Sequence, residues 1–150
     1  MNSVRFEDFE LRVVCAEDID LLYMWANDPV TRENSFNTEF IPYEDHKKWF
    51  EKTLTNEQRV QLILEKAGTP IGQIRLDIDN GVGEIGYSIA KEHRGLGYGN
   101  VICNMVITYA QNYLQLTKII AQVKPGNNAS KKCFIRNGFN PVYEQYEISL

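Results

Sequence analysis

The segment 83–99, GEIGYSIAKEHRGLGYG, constrains the fold more than any other part of the chain. Ile85, Tyr87 and Ile89 alternate with polar or small residues, which is the period-2 pattern of a β-strand. From Val101 to Tyr113, apolar residues recur at intervals of one, three and four, which is typical of an amphipathic helix. The sequence therefore predicts a strand, a glycine-rich turn and a helix in succession.

The glycine-rich turn predicts an anion-binding site. The first N–H groups of a helix lack intrahelical partners and lie at the positive end of its dipole. Gly95, Gly97 and Gly99 would let the backbone approach a phosphate closely, and Arg94 would add positive charge. The alternative is an ordinary strand-to-helix turn in which the glycines relieve strain. Because each glycine near a helix start costs roughly 1 kcal/mol relative to alanine, we favour the ligand site.

Two motifs identify the type of phosphate ligand. The turn has no Gly-Lys-Ser/Thr of a Walker loop, and Asn100 breaks the G-x-G-x-x-G dinucleotide pattern. Instead, Arg94-x-x-Gly97-x-Gly99 after a strand resembles the acyl-CoA pyrophosphate loop of the GNAT family of N-acetyltransferases. Residues 127–139, with N-x-x-S, an aromatic residue and Gly-Phe, resemble the second cofactor segment of that family. The resemblance extends over nearly the whole chain.

The resemblance implies a single domain, 1–150, of α/β (α+β) class with the GNAT fold. In that fold, a mixed central sheet of about six to seven strands contains a splayed parallel pair, and helices flank the sheet. The patterns agree with this order of elements. They predict strands at 9–14, 60–66, 71–78, 84–89, 118–123 and 142–150, and helices at 17–26, 42–54, 101–113 and 129–137.

The resemblance implies acetyl-CoA as co-substrate and assigns its contacts. The pantetheine arm would pair with the backbone of Tyr87, Ser88 and Ile89. The pyrophosphate would bind the loop Arg94, Gly95, Leu96, Gly97, Tyr98 and Gly99. Asn127 and Ser130 would contact the far side of the cofactor.

The same resemblance implies direct attack of an amine on the thioester. The Ile89 N–H would polarise the carbonyl, and Glu84 would accept the amine proton, directly or through water. Alternatively, Glu84 is an exposed strand residue or a partner of Arg75. Phe134 stands where many family members have a tyrosine acid. Other tyrosines, namely Tyr143, Tyr146 or Tyr98, would have to replace it, or the thiolate would leave without an acid.

The N-terminal half resembles GNAT enzymes that acetylate the 4-amino group of nucleotide-linked sugars in nonulosonic acid pathways, and more loosely the acetyltransferases of ribosomal protein N-termini. This implies a UDP- or dTDP-linked 4-amino sugar as acceptor. The alternative acceptor is a peptide N-terminus or a small-molecule amine. The non-enzyme alternative is a sensor that binds acyl-CoA without turnover. Candidate acceptor residues are Trp25, Asn27, Arg32, Asn34, Ser35, Phe36, His46 and Trp49. Residues 31–38 are equally consistent with a solvated linker, and a structural role for His46 is favoured.

Composition excludes several other classes of protein. A net charge of −4 and a pI near 5.2 argue against nucleic acid as main partner. No apolar run approaches a transmembrane span, and the N-terminus carries no signal region, so we expect a cytoplasmic protein without a membrane partner. The three cysteines lack disulfide or metal-site spacing, and His46 and His93 lack nearby ligands, so we expect no metal. The oligomeric state stays open, with a homodimer as one option.

Overall fold

The computed structural model describes residues 2–150 and contains, within them, one six-stranded sheet. The strands, in both chain and spatial order, are β1 Ser3–Phe6, β2 Phe9–Val13, β3 Arg59–Lys66, β4 Thr69–Asp79, β5 Val82–Ile89 and β6 Lys118–Ala121. The helices are α1 Ile19–Ala26, α2 Pro29–Asn34, α3 Tyr43–Thr55, α4 Tyr98–Tyr113 and α5 Asn128–Arg136. All neighbouring strands are antiparallel except β5 and β6, which are parallel and joined through α4.

The sheet separates two hydrophobic clusters. Leu62 and Leu64 of β3 pack in the larger cluster with residues of α4. Ile63, between them in sequence, points to the opposite face and packs with Phe50 and Leu22 from α3 and α1. Because helices cover both faces, the middle of β3 is a continuous apolar run instead of an alternating pattern. The helices thus bury both faces around β3, and the strand ends, the strand edges and the partly exposed face of β4 and β5 opposite α4 are available for a site.

The parallel pair separates half-way along its length. β5 and β6 are in register from Val82↔Lys118 to Ile85↔Ala121, where β6 ends. β5 continues to Ile89 and pairs over that length only with β4 on its other side. This confirms the predicted splayed pair and the mixed sheet with flanking helices.

The ends of the chain differ from the predicted elements. β1 was not predicted, because Ser3–Phe6 is short and contains the exposed Arg5. The strand predicted at 142–150 is wrong: these residues form no regular element, and Val142 and Ile148 are 83% and 85% exposed. Alternating apolar residues suit a strand, but a strand also needs a hydrogen-bonding neighbour. Within residues 2–150, none lies beside this segment.

A buried ion pair fixes the connection from the sheet into α1. Asp18, 6% exposed, accepts hydrogen bonds from both terminal nitrogens of Arg12 at 2.9 and 3.0 Å. It also accepts the Cys15 N–H at 2.8 Å. Burial by itself would raise the pKa of Asp18, but the bonds from Arg12 and Cys15 outweigh it, so the pKa lies below its ordinary value.

We predict that Asp18→Asn lowers the free energy of unfolding by about 2 kcal/mol, because the largely buried Arg12 loses two hydrogen bonds to a charged partner and keeps only the carboxylate of Glu65, at 3.3 Å. Urea denaturation at neutral pH would measure the change. The matched control is Glu10→Gln, which breaks the exposed pair with Arg5 and should cost less than about 1 kcal/mol.

The same pair predicts a pH dependence. Since the pKa of Asp18 is lowered on folding, its contribution is complete above the ordinary value of 3.8 and is lost as the pH falls through the lower folded-state value. The stability difference between wild type and Asp18→Asn should therefore shrink below pH 3.8. A difference that stays constant in that range would contradict the assignment.

Candidate active site

The unpaired edge of β5 supplies two backbone donors. The Ala90 N–H donates to the Ile71 carbonyl at 2.9 Å, so this residue faces β4. Because hydrogen-bonding direction alternates along an antiparallel strand, the backbone groups of Tyr87 and Ile89 face the other way. They point into the gap beyond Ala121, where β6 has ended. The gap can therefore accept an extended chain of amide groups in the manner of a strand.

The loop before α4 has the backbone conformation of an anion cradle. Gly95 and Gly97 adopt φ of 76° and 83°, in the left-handed region that favours glycine. Gly97 precedes the first turn of α4, which has no side-chain cap, so its first N–H groups remain available. Leu96, 61% exposed, lies at the tip of this loop.

Gly99 has a different role from the other two glycines. A Cβ at Gly99 would lie 3.3 Å from the Cys133 sulfur and 3.5 Å from the Tyr87 ring. The close packing of α4 against α5 and β5 therefore requires this glycine. Its neighbour Tyr98 packs edge-on against Phe9, at a ring distance of 5.7 Å.

The second segment is fixed to β5 at the start of α5. The Asn127 side chain caps this helix by accepting the Ser130 N–H at 3.3 Å, as its sequence position predicts. The Ser130 hydroxyl lies 3.0 Å from the Tyr87 hydroxyl. Burial raises the pKa of Tyr87, so its hydroxyl stays protonated. β5 and the first turns of both α4 and α5 therefore meet at one side of the gap.

The Arg94 side chain, expected to add positive charge to the loop, forms an ion pair with Asp28 in the structure. Its Nη2 donates to Asp28 at 2.6 Å, and its Nε donates to the Ile89 carbonyl at 3.0 Å. Asp28 caps α2 by accepting the Thr31 N–H at 3.1 Å. The guanidinium is held there because the largely buried Asp28 carboxylate needs a counter-charge.

The face of β5 opposite α4 carries the polar groups. Register sets Glu84 beside Asp77, and Gly86 beside Arg75. The Arg75 Nε donates to Asp77 at 3.1 Å, so the alternative pairing of Arg75 with Glu84 is not formed. Among the described residues, Glu84 has no ion-pair partner within 4.0 Å. Its half-buried carboxylate is thus available.

A chain of amides leads along the same face to the end of β5. The Gln61 side chain donates to Gln73 at 3.1 Å, and Gln73 donates to the Ser88 hydroxyl at 3.2 Å. The side-chain oxygen of Gln61, Oε1, is buried without a partner among residues 2–150. The two glutamines were not among the predicted site residues. Their polar character within otherwise apolar strands is the signal that would have found them.

Two of the predicted acceptor residues are buried, which corrects their assignment. His46 is 3% exposed, and its Nε2 donates to the Ile19 carbonyl at 2.9 Å. Burial lowers its pKa, so the ring is neutral and holds α3 against α1. Trp25 is 7% exposed in the cluster with Phe50 and Leu22. The His46 ring thus has a structural role, whereas the largely buried Trp25 ring also lines the cavity at the end of β5.

Asn27 and Arg32 organise the loop that follows α2. The Asn27 side chain donates to the Ile41 carbonyl at 2.9 Å and accepts its N–H at 2.8 Å. Arg32 donates to the carbonyls of Asn37 and Glu39 at 3.0 and 3.3 Å. Residues 31–38 thus combine the end of a short helix with a loop that these hydrogen bonds hold in place.

The remaining predicted acceptor residues have varied surroundings. Ser35 accepts from Arg32 at 3.3 Å, and the exposed Asn34 side chain donates to Val30. Phe36 is 69% exposed. The Trp49 ring lies 5.2 Å from the Arg59 guanidinium and 5.8 Å from that of Arg75. A cavity of about 90 Å³ lies between α1, the start of α2 and the end of β5, and is lined by Met24, Trp25, Asp28, Ile89, Ala90, Lys91, Glu92 and Arg94.

Comparison with known families agrees with this geometry. Residues 8–140 match the model of the acetyltransferase (GNAT) domain. The chain belongs to the GNAT acetyltransferase family. It is therefore an acyl-CoA-dependent N-acetyltransferase acting on amines, with acetyl-CoA as co-substrate, as the two motifs predicted.

Individual relatives are distant in sequence. The chain is 28% identical over 140 residues to the uncharacterized N-acetyltransferase p20 of Bacillus licheniformis, covering 88% of this chain and 79% of the relative. It is 23% identical over 131 residues to the acetyltransferase PseH of Campylobacter jejuni, covering 87% and 81%.

Solved structures share the fold at lower identity. Spermidine N-acetyltransferase from Vibrio cholerae, in complex with CoA and spermine, superposes with a TM-score of 0.81 at 21% identity, covering 87% of this chain and 80% of that one. RimL, a ribosomal L7/L12 α-N-protein acetyltransferase in complex with CoA, gives 0.80 at 14%, covering 91% and 83%. Proteins named for different acceptors thus share this fold.

Residues 2–150 contain no cluster of three or more His, Cys, Asp or Glu side chains arranged to hold a metal ion. No helix within them is both long enough and apolar enough to cross a bilayer.

We predict that Gly97→Ala lowers the free energy of unfolding by about 1–2 kcal/mol, because a Cβ is strained at its left-handed φ of 83°. Gly126→Ala is the matched control, since that glycine has no positive φ and no atom within 4 Å of the added Cβ. It should change stability by less than about 0.5 kcal/mol. Equal effects in thermal or urea unfolding would contradict the strain argument.

Proposed function

We propose that this enzyme transfers the acetyl group of acetyl-CoA to the amino group of a nucleotide-linked 4-amino sugar. The observation that carries the proposal is the acceptor face of β5. There an unpaired carboxylate, Glu84, lies on the same face as the amide and hydroxyl chain ending at Ser88. Amides and hydroxyls recognise the hydroxyls of a sugar, and the Trp49 ring suits stacking on a sugar or base.

Electrostatics favour this acceptor over a polyamine. Arg59 and Arg75 line the same face beneath Trp49 and share the single carboxylate of Asp77. Two guanidinium groups there disfavour a polycation and favour a substrate with phosphate groups. The distant likeness to PseH supports the amino-sugar class, which the N-terminal half of the chain also resembles.

The residues around the gap fit acetyl-CoA. The Tyr87 N–H would bind an amide carbonyl of the pantetheine arm, and the N–H groups after Gly97 would bind the pyrophosphate. Acetyl-CoA supplies the activated acetyl thioester. The Ile89 N–H would polarise the thioester carbonyl. Asn127 and Ser130 would line the far side of the cofactor.

Glu84 would act as the general base. An alkyl amine is mostly protonated at neutral pH, so a proton must leave before the nitrogen can attack. A half-buried carboxylate without an ion-pair partner can accept this proton, directly or through one water molecule.

No tyrosine side chain is assigned as the acid for the departing thiolate. Phe134 is 7% exposed and packs against Tyr87, whereas Tyr143 and Tyr146 are 74% and 86% exposed. The Tyr98 ring packs against Phe9. We propose that CoA leaves as the thiolate and takes its proton from water, which a thiol with a pKa of about 8.5 permits.

Release of CoA thiol from acetyl-CoA tests the acceptor. We expect turnover with UDP- or dTDP-linked 4-amino-4,6-dideoxyhexoses and none with the same nucleotide sugars bearing a 4-hydroxyl group. Spermidine, aminoglycosides and peptides with free N-termini are the competing acceptors. Preferred turnover on a peptide would identify protein N-termini as the acceptor. Acetyl-CoA binding without turnover on any amine would favour a sensor.

We predict that Glu84→Gln lowers kcat/KM for the acceptor by about 10²–10⁴-fold, because it removes the base. CoA affinity, measured by calorimetry, should be unchanged, since Glu84 faces away from α4. Glu10→Gln is the control and should retain full activity. Full activity in Glu84→Gln would exclude this residue as the base.

A further inference from the structure

We propose that Arg94 is a positioning residue that couples the acceptor side of the enzyme to the thioester gap, and that its side chain does not bind the cofactor phosphates. The inference rests on the proposed function for its kinetic part. It rests on geometry alone for the contacts themselves. We define the acceptor wall as residues 28–39, which comprise α2, its cap and the loop after it.

The Arg94 guanidinium connects two elements that are distant in sequence. Its Nε donates to the Ile89 carbonyl at the end of β5, at 3.0 Å. Its Nη2 donates to the Asp28 carboxylate at 2.6 Å and lies 3.4 Å from the Thr31 hydroxyl. One planar group therefore holds the last residue of the gap and the first turn of α2 at a fixed separation.

The ion pair with Asp28 is strong enough to hold the Arg94 side chain in this orientation. The side chains of Arg94 and Asp28 are 29% and 14% exposed, so the pair is shielded from water. Burial by itself would raise the pKa of Asp28, but the bonds from Arg94 and Thr31 lower it, so the carboxylate stays charged. Turning Arg94 toward a phosphate would leave that carboxylate and the Ile89 carbonyl unsatisfied.

The coupling continues through the acceptor wall. Asp28 caps α2 by accepting the Thr31 N–H. Arg32, one turn on from the cap, holds the loop through the carbonyls of Asn37 and Glu39. A change at Arg94 therefore alters the distance between this wall and the thioester, on which the attack geometry depends. The backbone of the phosphate loop is not part of this chain of contacts.

The test compares Arg94→Gln, Arg94→Lys, Asp28→Asn and the double variant Arg94→Gln/Asp28→Asn. Calorimetry gives the Kd for CoA, and steady-state kinetics give KM and kcat for the acceptor. We expect Arg94→Gln and Asp28→Asn each to raise the acceptor KM or lower kcat by about tenfold or more. The CoA Kd should stay within about twofold, and Arg94→Lys should recover part of the loss.

Two results distinguish a positioning Arg94 from a phosphate-binding Arg94. They are the non-additivity of the variants and the direction in which Asp28→Asn changes CoA binding. Since both residues act through one contact, the double variant should be no worse than the worse single variant. A phosphate-binding Arg94 predicts the opposite: Arg94→Gln would weaken CoA binding about tenfold or more, and Asp28→Asn would leave it unchanged or strengthen it. That result would overturn the proposal.

Hydrogen exchange provides a readout that needs no acceptor. Both single variants should speed amide exchange in residues 29–39, because the contacts of Arg94 hold only the acceptor wall in place. Amide exchange in α4 should be unchanged. Unchanged exchange in residues 29–39 would overturn the proposal even if activity falls. Arg5→Gln and Glu10→Gln, which break another arginine–carboxylate pair at 2.6 Å far from the site, are the matched controls. If wild type binds CoA but acetylates no amine, the proposed function fails, and exchange still decides the coupling.

Discussion

The early end of the β5–β6 pairing is the constraint on which the site depends. Four residue pairs join the two strands, and the last is Ile85↔Ala121. Beyond it, the backbone donors of Tyr87 and Ile89 face a gap, and a buried donor without a partner is costly. We propose that the pantetheine arm of acetyl-CoA, which carries its own amides, satisfies them, so that the incomplete sheet would itself be the recognition element.

Much of the fold followed from the sequence because its signals are local. Alternation defined β4 and β5, and the apolar intervals after Val101 defined α4. The predictions failed where an element depends on pairing with a neighbouring strand. β1 is held by pairing with β2, although its own sequence is weakly strand-like, and residues 142–150 have a strand pattern without a pairing partner among residues 2–150.

The candidate site was less predictable because side-chain direction depends on tertiary contacts. The glycine loop and the Asn127 cap are set by backbone chemistry, and both occur where the sequence indicated. Arg94 pairs with Asp28, which follows the helix predicted at 17–26 and was not predicted as a site residue. An aspartate before proline is also a common helix start. His46 and Trp25 carry polar atoms on large rings, and burial of the rings decided their positions.

The pattern of ion pairs around the sheet supports the proposal that Glu84 is the general base. Asp18 is neutralised by Arg12, Asp28 by Arg94, and Asp77 by both Arg59 and Arg75. A carboxylate held by a guanidinium is a poor base, because accepting a proton would sacrifice the pair. Glu84 lies on the same face as Asp77 and lacks such a partner within residues 2–150. The arginines thus hold the neighbouring aspartates in structural roles and leave Glu84 without a guanidinium partner on this face of β5.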